Sequence, residues 1–455
     1  MWTPTLGHDG DTVSARLLSA LRRDIEEGRL SPGVKLPPHR DLAHRLGIGI
    51  GTVTAVYGEA ARQGLLTAAV GRGSFVADTS TARPNDGIIM LAHNIPTLSF
   101  AQRRFAQTFA KLRNRADLMD CLEYAPVAGH ERHRRLGAAW IRRTSALTDA
   151  RHDRLIVTTG AQQAMTLALD TLCRPGDTIM TEAATYFGVK SIADVGGYKL
   201  SGLAMDREGI LPEDLDRAAA RGARVLYTLP TLQNPTGRTM SAARREQIAK
   251  IVRDRDLWVV EDDIYSAYAM NTAPTPLAAR IPERCFYISG TSKALAPGLR
   301  TGYLIAPDDD MFEAMLRLIR ARVYAPATMG AMIASQWIED GTADEVVGEL
   351  LTEMAARNAM AADVLGTAME PSSDGRCPHI WLPMPELEAE RMTSRALRGG
   401  VELTPPSAPV VDPLAISGVR VCLGGGSDRE TMRQALQIIA NALDNKVSGR
   451  DAAVV

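Results

Sequence analysis

The chain has 455 residues, 45% of them apolar and 23% charged, which suits a large buried core and is long for one compact domain. With 52 basic against 53 acidic side chains the net charge is −1, so any nucleic-acid surface has to be a local patch. Five scattered cysteines without a C-x-x-C pair exclude a disulfide framework and a structural zinc site, and no targeting segment or membrane-length apolar run stands in the sequence; a cytoplasmic protein with no membrane partner is expected.

In chain order, Leu17, Leu18, Leu21 and Ile25 recur at helical spacing, with Gly28 at the stop. A turn-rich stretch over 30–38 leads to a short helix predicted over 40–46, with Leu42, Ala43 and Leu46 inward and Gly47 at its end. A second helix is predicted from about 51 to 63, with Val53, Val56, Tyr57 and Ala60 on one face. Two helices around a short glycine-containing turn are the helix-turn-helix pattern. Residues 65–70 and 74–76 flank Gly71-Arg72-Gly73, a hairpin with a basic tip that reads as a wing.

Residues 28–77 carry six bases (Arg29, Lys35, Arg40, Arg45, Arg62, Arg72) against two acids (Asp41, Glu59), an excess of four. An ordinary solvated face explains charge alone; the order of helices, turn and wing beneath that charge points to DNA. Arg-Asp-Ile-Glu-Glu-Gly-Arg-Leu-Ser-Pro-Gly (23–33), Gly-Thr-Val-Thr-Ala-Val-Tyr (51–57) and Gly-Arg-Gly-Ser-Phe-Val (71–76) resemble a GntR-type winged helix, over residues 12–77. One departure is Ile48-Gly49-Ile50-Gly51, where that family opens its recognition helix with polar or basic residues. The resemblance implies a double-stranded DNA partner, with Arg40, Arg45, Thr52, Thr54 and Arg72 as the candidate contacts.

A polar stretch with Pro and Gly, 78–87, reads as a linker. Beyond it seven β-like runs appear, 154–159, 177–182, 199–205, 224–229, 257–262, 285–289 and 301–305, with helical patterns such as 162–172 and 242–253 between them. This alternation predicts a mostly parallel sheet covered on both faces, whose ligands gather beyond the carboxyl ends of the strands. The residues expected there are Gly160-Ala161-Gln162 at a helix start, Tyr186, Asn234-Pro235-Thr236-Gly237, Asp262 with Tyr265, and Ser292-Lys293 with Arg300. Each alone has a dull explanation as a turn, a cap or a solvated side chain. Together they suit pyridoxal 5'-phosphate (PLP): an amine for its aldehyde, a carboxylate for its pyridine nitrogen, an amide and a phenol for its ring oxygen, and a helix start with a guanidinium for its phosphate.

The run Thr-Ser-Lys-Ala-Leu-Ala-Pro-Gly-Leu-Arg-Thr-Gly-Tyr (291–303) is the most specific piece of a resemblance to fold-type I aminotransferases over about 88–445. That resemblance implies Lys293 as the Schiff-base lysine and Asp262 as the partner of the pyridine nitrogen. It implies Asn234 and Tyr265 at the ring oxygen, Tyr186 stacked on the ring, and Gly160, Ala161, Gln162, Ser292 and Arg300 at the phosphate. The resemblance spaces that carboxylate three residues before the tyrosine, which selects Asp262 over Asp263; Asp263 is then expected on the opposite strand face. Arg420, in Gly-Val-Arg-Val-Cys-Leu (418–423), resembles the arginine that binds a substrate carboxylate, and Tyr124 the tyrosine given across a dimer to the neighbour's phosphate. Where such enzymes have a Gly-containing substrate loop, this chain has Asn94-Ile95-Pro96, which makes Asn94 a candidate effector contact and leaves specificity open. Gly424-Gly425-Gly426 lacks the lysine of a P-loop, and His130 with His133 lacks the carboxylate pattern of a metal centre, so no metal is expected.

A GntR-type winged helix ahead of an aminotransferase-like body resembles the MocR/GabR regulators. The resemblance implies an α/β chain: a winged helix-turn-helix (1–77), a linker (78–87), and a PLP-binding body (88–445) with a seven-stranded, mostly parallel sheet. Its large subdomain is expected over about 125–325, a smaller C-terminal α/β subdomain over about 326–445, and a tail over 446–455. The implied function is a homodimeric regulator that senses an amine or amino acid through external aldimine formation at Lys293. The alternative is a working aminotransferase with an appended DNA-binding module; a carrier with a decayed site is a third, weaker reading.

Overall fold

The computed structural model of the chain describes residues 2–5, 12–31, 33–62, 65–69, 73–76 and 87–444. The backbone divides into two compact units, Met1–Asn85 and Asp86–Val455. In the first unit, helix Val13–Glu26 opens on Thr12, whose hydroxyl accepts from the Ala15 N–H at 3.1 Å and satisfies one orphan donor of the first turn. It buries Leu17 and Leu21 with Leu42 and Ala43 of helix His39–Leu46 and with Val53, Val56, Tyr57 and Ala60 of helix Ile50–Arg62. Gly47 closes the second helix at φ +65°, a left-handed conformation that glycine adopts without a Cβ clash. Strands Leu66–Ala69 and Gly73–Val76 pair antiparallel and add Leu66 and Val76 to the same core. The tip between them, with Arg72, lies outside the described residues, as does the expected linker apart from Gly87.

In the second unit all seven β-like runs become strands of one sheet. Its order is Leu155–Thr158, Gly302–Ile305, Cys285–Gly290, Trp258–Asp262, Val225–Thr228, Thr178–Glu182, Lys199–Leu203. Gly302–Ile305 runs antiparallel to both neighbours and every other adjacent pair is parallel. Ile156, Val260, Phe286 and Ile288 pack with Ala164, Met165 and Leu169 of helix Ala161–Leu172. Val157, Val259 and Tyr287, on the opposite face, pack with Ile248 and Val252 of helix Ala242–Asp254 and Trp337 of helix Thr328–Glu339. Burial on both faces explains why the central strands are largely apolar. Removing the fully buried Trp337 side chain would cost about 3–5 kcal/mol.

The smaller layer pairs His379–Pro383 antiparallel with Gly418–Cys422 and adds helices Glu386–Arg398 and Arg429–Asp444. Helix Thr328–Glu339, expected in a small subdomain from 326, instead buries Met332, Ile333 and Trp337 in the core of the large sheet. Helix Thr342–Leu365 passes from one core to the other: Val346 and Val347 join the one that holds Trp337, and Met354, Ala361 and Leu365 join the one that the C-terminal layer shares with the opposite face of the large sheet. The segment at the start of this unit also belongs there: strand Ile89–Met90 pairs in parallel with Val401–Glu402. The chain that follows lies on Gly424, where a Cβ would stand 1.7 Å from the Ile95 carbonyl oxygen. That close approach is what the glycine permits.

Candidate cofactor and effector site

The segments leaving the carboxyl ends of the parallel strands converge on one pocket, lined by Ala161, Gln162, Tyr186, Ser292, Lys293 and Arg300. Gly160 sits at φ +81° just before helix Ala161–Leu172, and the Arg300 guanidinium lies so near that a Cβ on Gly160 would be 2.9 Å from Nη2. Arg300 is itself held at φ +47°, a left-handed conformation uncommon outside glycine, and its Nη2 donates to the Thr159 carbonyl at 3.0 Å. Ser292 Oγ is buried with no partner among the described residues. A helix start, a guanidinium and an unpaired hydroxyl at one spot are the donor set a phosphate requires. Gln162 spends its amide on the Gly188 carbonyl at 3.1 Å, leaving the N–H groups of the helix start as its contribution.

Lys293 donates from Nζ to the Asn94 carbonyl at 2.8 Å. Burial pulls its ammonium down to about 8, with Arg420 and Arg300 pushing the same way and Cys422 and Asp262 opposing. Asp262 ends its strand with the carboxylate 2.8 Å from the Tyr227 hydroxyl, and burial pushes it up to about 7 in spite of that bond and one from the Ile264 N–H. Its hydrogen-bond partners are neutral, so a cationic ring nitrogen beside it would be stabilised. Asp263 turns to the other face and accepts from the Tyr287 hydroxyl at 2.6 Å. The donor set therefore fits PLP at each of its polar ends.

Arg420 is buried, with four of its five N–H groups engaged. Its Nη1 donates to Asn234 Oδ1 at 2.6 Å, Nη2 to the Ala92 carbonyl at 2.8 Å and to Thr404 Oγ1 at 2.9 Å, and Nε to Thr404 at 3.2 Å. Asn234 Nδ2 lies 3.5 Å from the Tyr265 hydroxyl. Asn94 reaches the same hydroxyl at 2.9 Å from Nδ2, and its Oδ1 is buried with no partner among the described residues. Tyr124 does not line this pocket; it is 82% exposed and edge-on to Tyr324, 4.8 Å between ring centres.

Sequence reasoning missed His379, Tyr227, Thr404 and Tyr268. His379 is fully buried, with Nδ1 2.9 Å from Asn94 Nδ2 and Nε2 2.9 Å from the Gln233 carbonyl. Tyr268 donates to the Lys293 carbonyl at 2.6 Å. A histidine inside the apolar run Pro378–Leu382 and a tyrosine inside Val225–Thr228 were the available signals, since a polar group in a buried strand needs a partner.

On the N-terminal unit, Arg40 and Arg45 are exposed on helix His39–Leu46. Thr52 is half-buried, and Thr54 is exposed with Oγ1 3.1 Å from His39 Nδ1. Arg29, counted in the basic excess, is paired with Asp24 and Glu27, which removes it from the free positive charge. The residues opening the Ile50–Arg62 helix present an exposed Ile50 between Gly49 and Gly51.

Residues 86–439 match the family model for aminotransferase class I and II, and residues 14–76 that for bacterial regulatory proteins of the gntR family. The chain is a MocR-type member of the class I and II aminotransferase family. Relatives of this MocR-type chain include the uncharacterized HTH-type transcriptional regulator YdeF of Bacillus subtilis, 29% identical over 67% of each chain. The probable rhizopine catabolism regulatory protein MocR of Rhizobium meliloti is 27% identical over 74% of each. Among solved structures, an archaeal alanine:glyoxylate aminotransferase superposes with a TM-score of 0.71 at 22% identity, covering 79% of this chain and 91% of its own. LysN, the alpha-aminoadipate aminotransferase of Thermus thermophilus, gives 0.69 at 24%, covering 78% and 92%. These structural likenesses establish the fold of the larger unit.

Proposed function

We propose that this MocR-type chain is a PLP-dependent transcriptional regulator that senses a primary amine or amino acid at Lys293. The observation that carries the reading is one pocket with a half-buried lysine and a phosphate-suited helix start, next to a buried carboxylate with neutral partners, on the same chain as a gntR-family helix-turn-helix. In this reading Gly160, Ala161, Gln162, Ser292 and Arg300 hold the phosphate, Asp262 the ring nitrogen, and Asn234 with Tyr265 the ring oxygen, while Tyr186 flanks the ring. When bound, the cofactor supplies an electrophilic carbon open to primary amines and a ring that withdraws electrons.

Lys293, with its ammonium drawn down to about 8, carries enough neutral amine near neutral pH to attach and to be displaced. Arg420, held by Asn234, Thr404 and the Ala92 carbonyl, offers the carboxylate of an amino acid the second Nη1 hydrogen, which none of these contacts uses. Arg40, Arg45, Thr52, Thr54 and Arg72 contact the DNA. The reading includes a homodimer in which the exposed Tyr124 reaches the neighbour's phosphate. It also takes the chain to be cytoplasmic; among the described residues no helix is long and apolar enough to cross a membrane. An effector changes DNA binding only as far as its affinity differs between two arrangements of the chain.

The completeness of the pocket supports a second reading, a working aminotransferase that also binds DNA. One experiment separates them. Amines and amino acids are titrated into the PLP-loaded chain on a DNA fragment that it has itself selected from random duplexes, while visible absorbance and DNA affinity are followed. A regulator changes both together. A spectral change that leaves DNA affinity and geometry untouched refutes the coupling, and steady turnover with an amino acid and a 2-oxo acid at ~1 s⁻¹ or more supports the enzyme.

A further inference from the structure

The Tyr265 phenol is surrounded by donors. Asn94 Nδ2 lies 2.9 Å from its oxygen and Asn234 Nδ2 3.5 Å, and no group among the described residues accepts its proton. Which way these amides face is decided one residue further out. The Gln233 carbonyl can only accept, so the His379 nitrogen 2.9 Å from it, Nε2, carries the hydrogen. The neutral ring then presents a lone pair at Nδ1, 2.9 Å from Asn94, and the amide must turn its NH2 group there. Its second N–H points at Tyr265, and its Oδ1 is left without a partner. Arg420, donating to Asn234 Oδ1, fixes the other amide the same way, with its NH2 toward the phenol. The phenol oxygen thus accepts from the protein, and its own proton is left for the ligand. Asn94 also holds Lys293 Nζ on its backbone carbonyl at 2.8 Å.

We propose that His379 is a positioning residue that, through Asn94, commits the Tyr265 hydroxyl to donate to the cofactor's ring oxygen and sets where Lys293 waits. The inference rests on the PLP reading above. His379 suits the task because it stays neutral: burial lowers it to about 3, with Arg420 and Lys293 in the same direction and its bond to Gln233 opposing. Arg420, Cys422 and Asp262 also face the phenol, and none of the substitutions below alters them.

The test is the pH titration of the visible band of the PLP-loaded full chain, together with PLP affinity of the cofactor-free chain. A phenol that donates to the ring oxygen favours its ionised form, so losing that direction raises the midpoint of the band. His379→Met, which offers neither donor nor acceptor, is expected to raise it by about 0.7 pH unit, the worth of one hydrogen bond. His379→Gln, which keeps one donor and one acceptor, is expected to restore it. In a Tyr265→Phe background His379→Met should add nothing. If His379→Met does not fold, Asn94→Ala reads the same link with the histidine in place. An unchanged midpoint in His379→Met or Asn94→Ala overturns the positioning role, and so does a shift that persists in the Tyr265→Phe background. A parent chain that takes up no PLP overturns the reading beneath it instead, so the two failures are told apart.

Discussion

Replacing Arg420 with lysine keeps the charge and removes the fork. In the resting chain the guanidinium serves Asn234 Oδ1, the Ala92 carbonyl and Thr404 Oγ1 at once, with bonds of 2.6–3.2 Å. An ammonium has three donors on one point and cannot meet those acceptors and a carboxylate together. Losing one charge-assisted hydrogen bond to a ligand carboxylate costs about 1.5–3 kcal/mol, or about 10- to 150-fold in affinity. An amine without a carboxylate has no such bond to lose, so its affinity should move by less than about threefold. The assay titrates the visible band of the parent and Arg420→Lys chains with an amino acid and with the amine formed by its decarboxylation. The ratio of the two losses is the readout, because it cancels any general damage to the pocket. Equal losses for both ligands would refute the assignment of Arg420 to the carboxylate.

The rate of PLP uptake by the cofactor-free chain should rise with pH and level off with a midpoint near 8, because the neutral amine is the reactive form of Lys293 and burial holds its ammonium down to about 8; a midpoint at the ordinary lysine value of about 10.4 would contradict that burial. Gly424→Ala should cost about 1–3 kcal/mol by calorimetry and weaken PLP uptake, since the new methyl meets the Ile95 carbonyl beside Asn94. Arg40→Ala should weaken binding to all DNA sequences alike and lower the salt slope by about 1, measured by titration at several salt concentrations. Arg29→Ala should change that slope far less, because its guanidinium is already paired with Asp24 and Glu27.

What was legible in the sequence follows from the physics of each element. The central strands could be read because burial on both faces makes them largely apolar, the edge strand Lys199–Leu203 being the half-exposed exception, and the pocket residues because a parallel sheet sends every crossover out past the same edge. The contacts that tune the pocket were not legible, because they join residues far apart in the chain. His379 meets Asn94 across 285 positions, and Arg420 meets the Ala92 carbonyl across 328. No local pattern encodes such a pairing. The expected border at about 326 rested on a weak signal: helix Thr328–Glu339 is apolar on nearly every side, so its sequence does not say which core receives it. Arg29 was miscounted because net charge over a window ignores whether a base is already paired with Asp24 just outside it.

The central claim is covalent attachment of PLP at one lysine, and borohydride reduction tests it most directly. Purified chain is loaded with PLP, reduced to make the linkage permanent, digested, and its peptides weighed. The expected result is a single modified peptide spanning Thr291–Arg300 with the label on Lys293, absent from Lys293→Ala. An unmodified chain, or a label spread over exposed lysines such as Lys111 and Lys250, would contradict it.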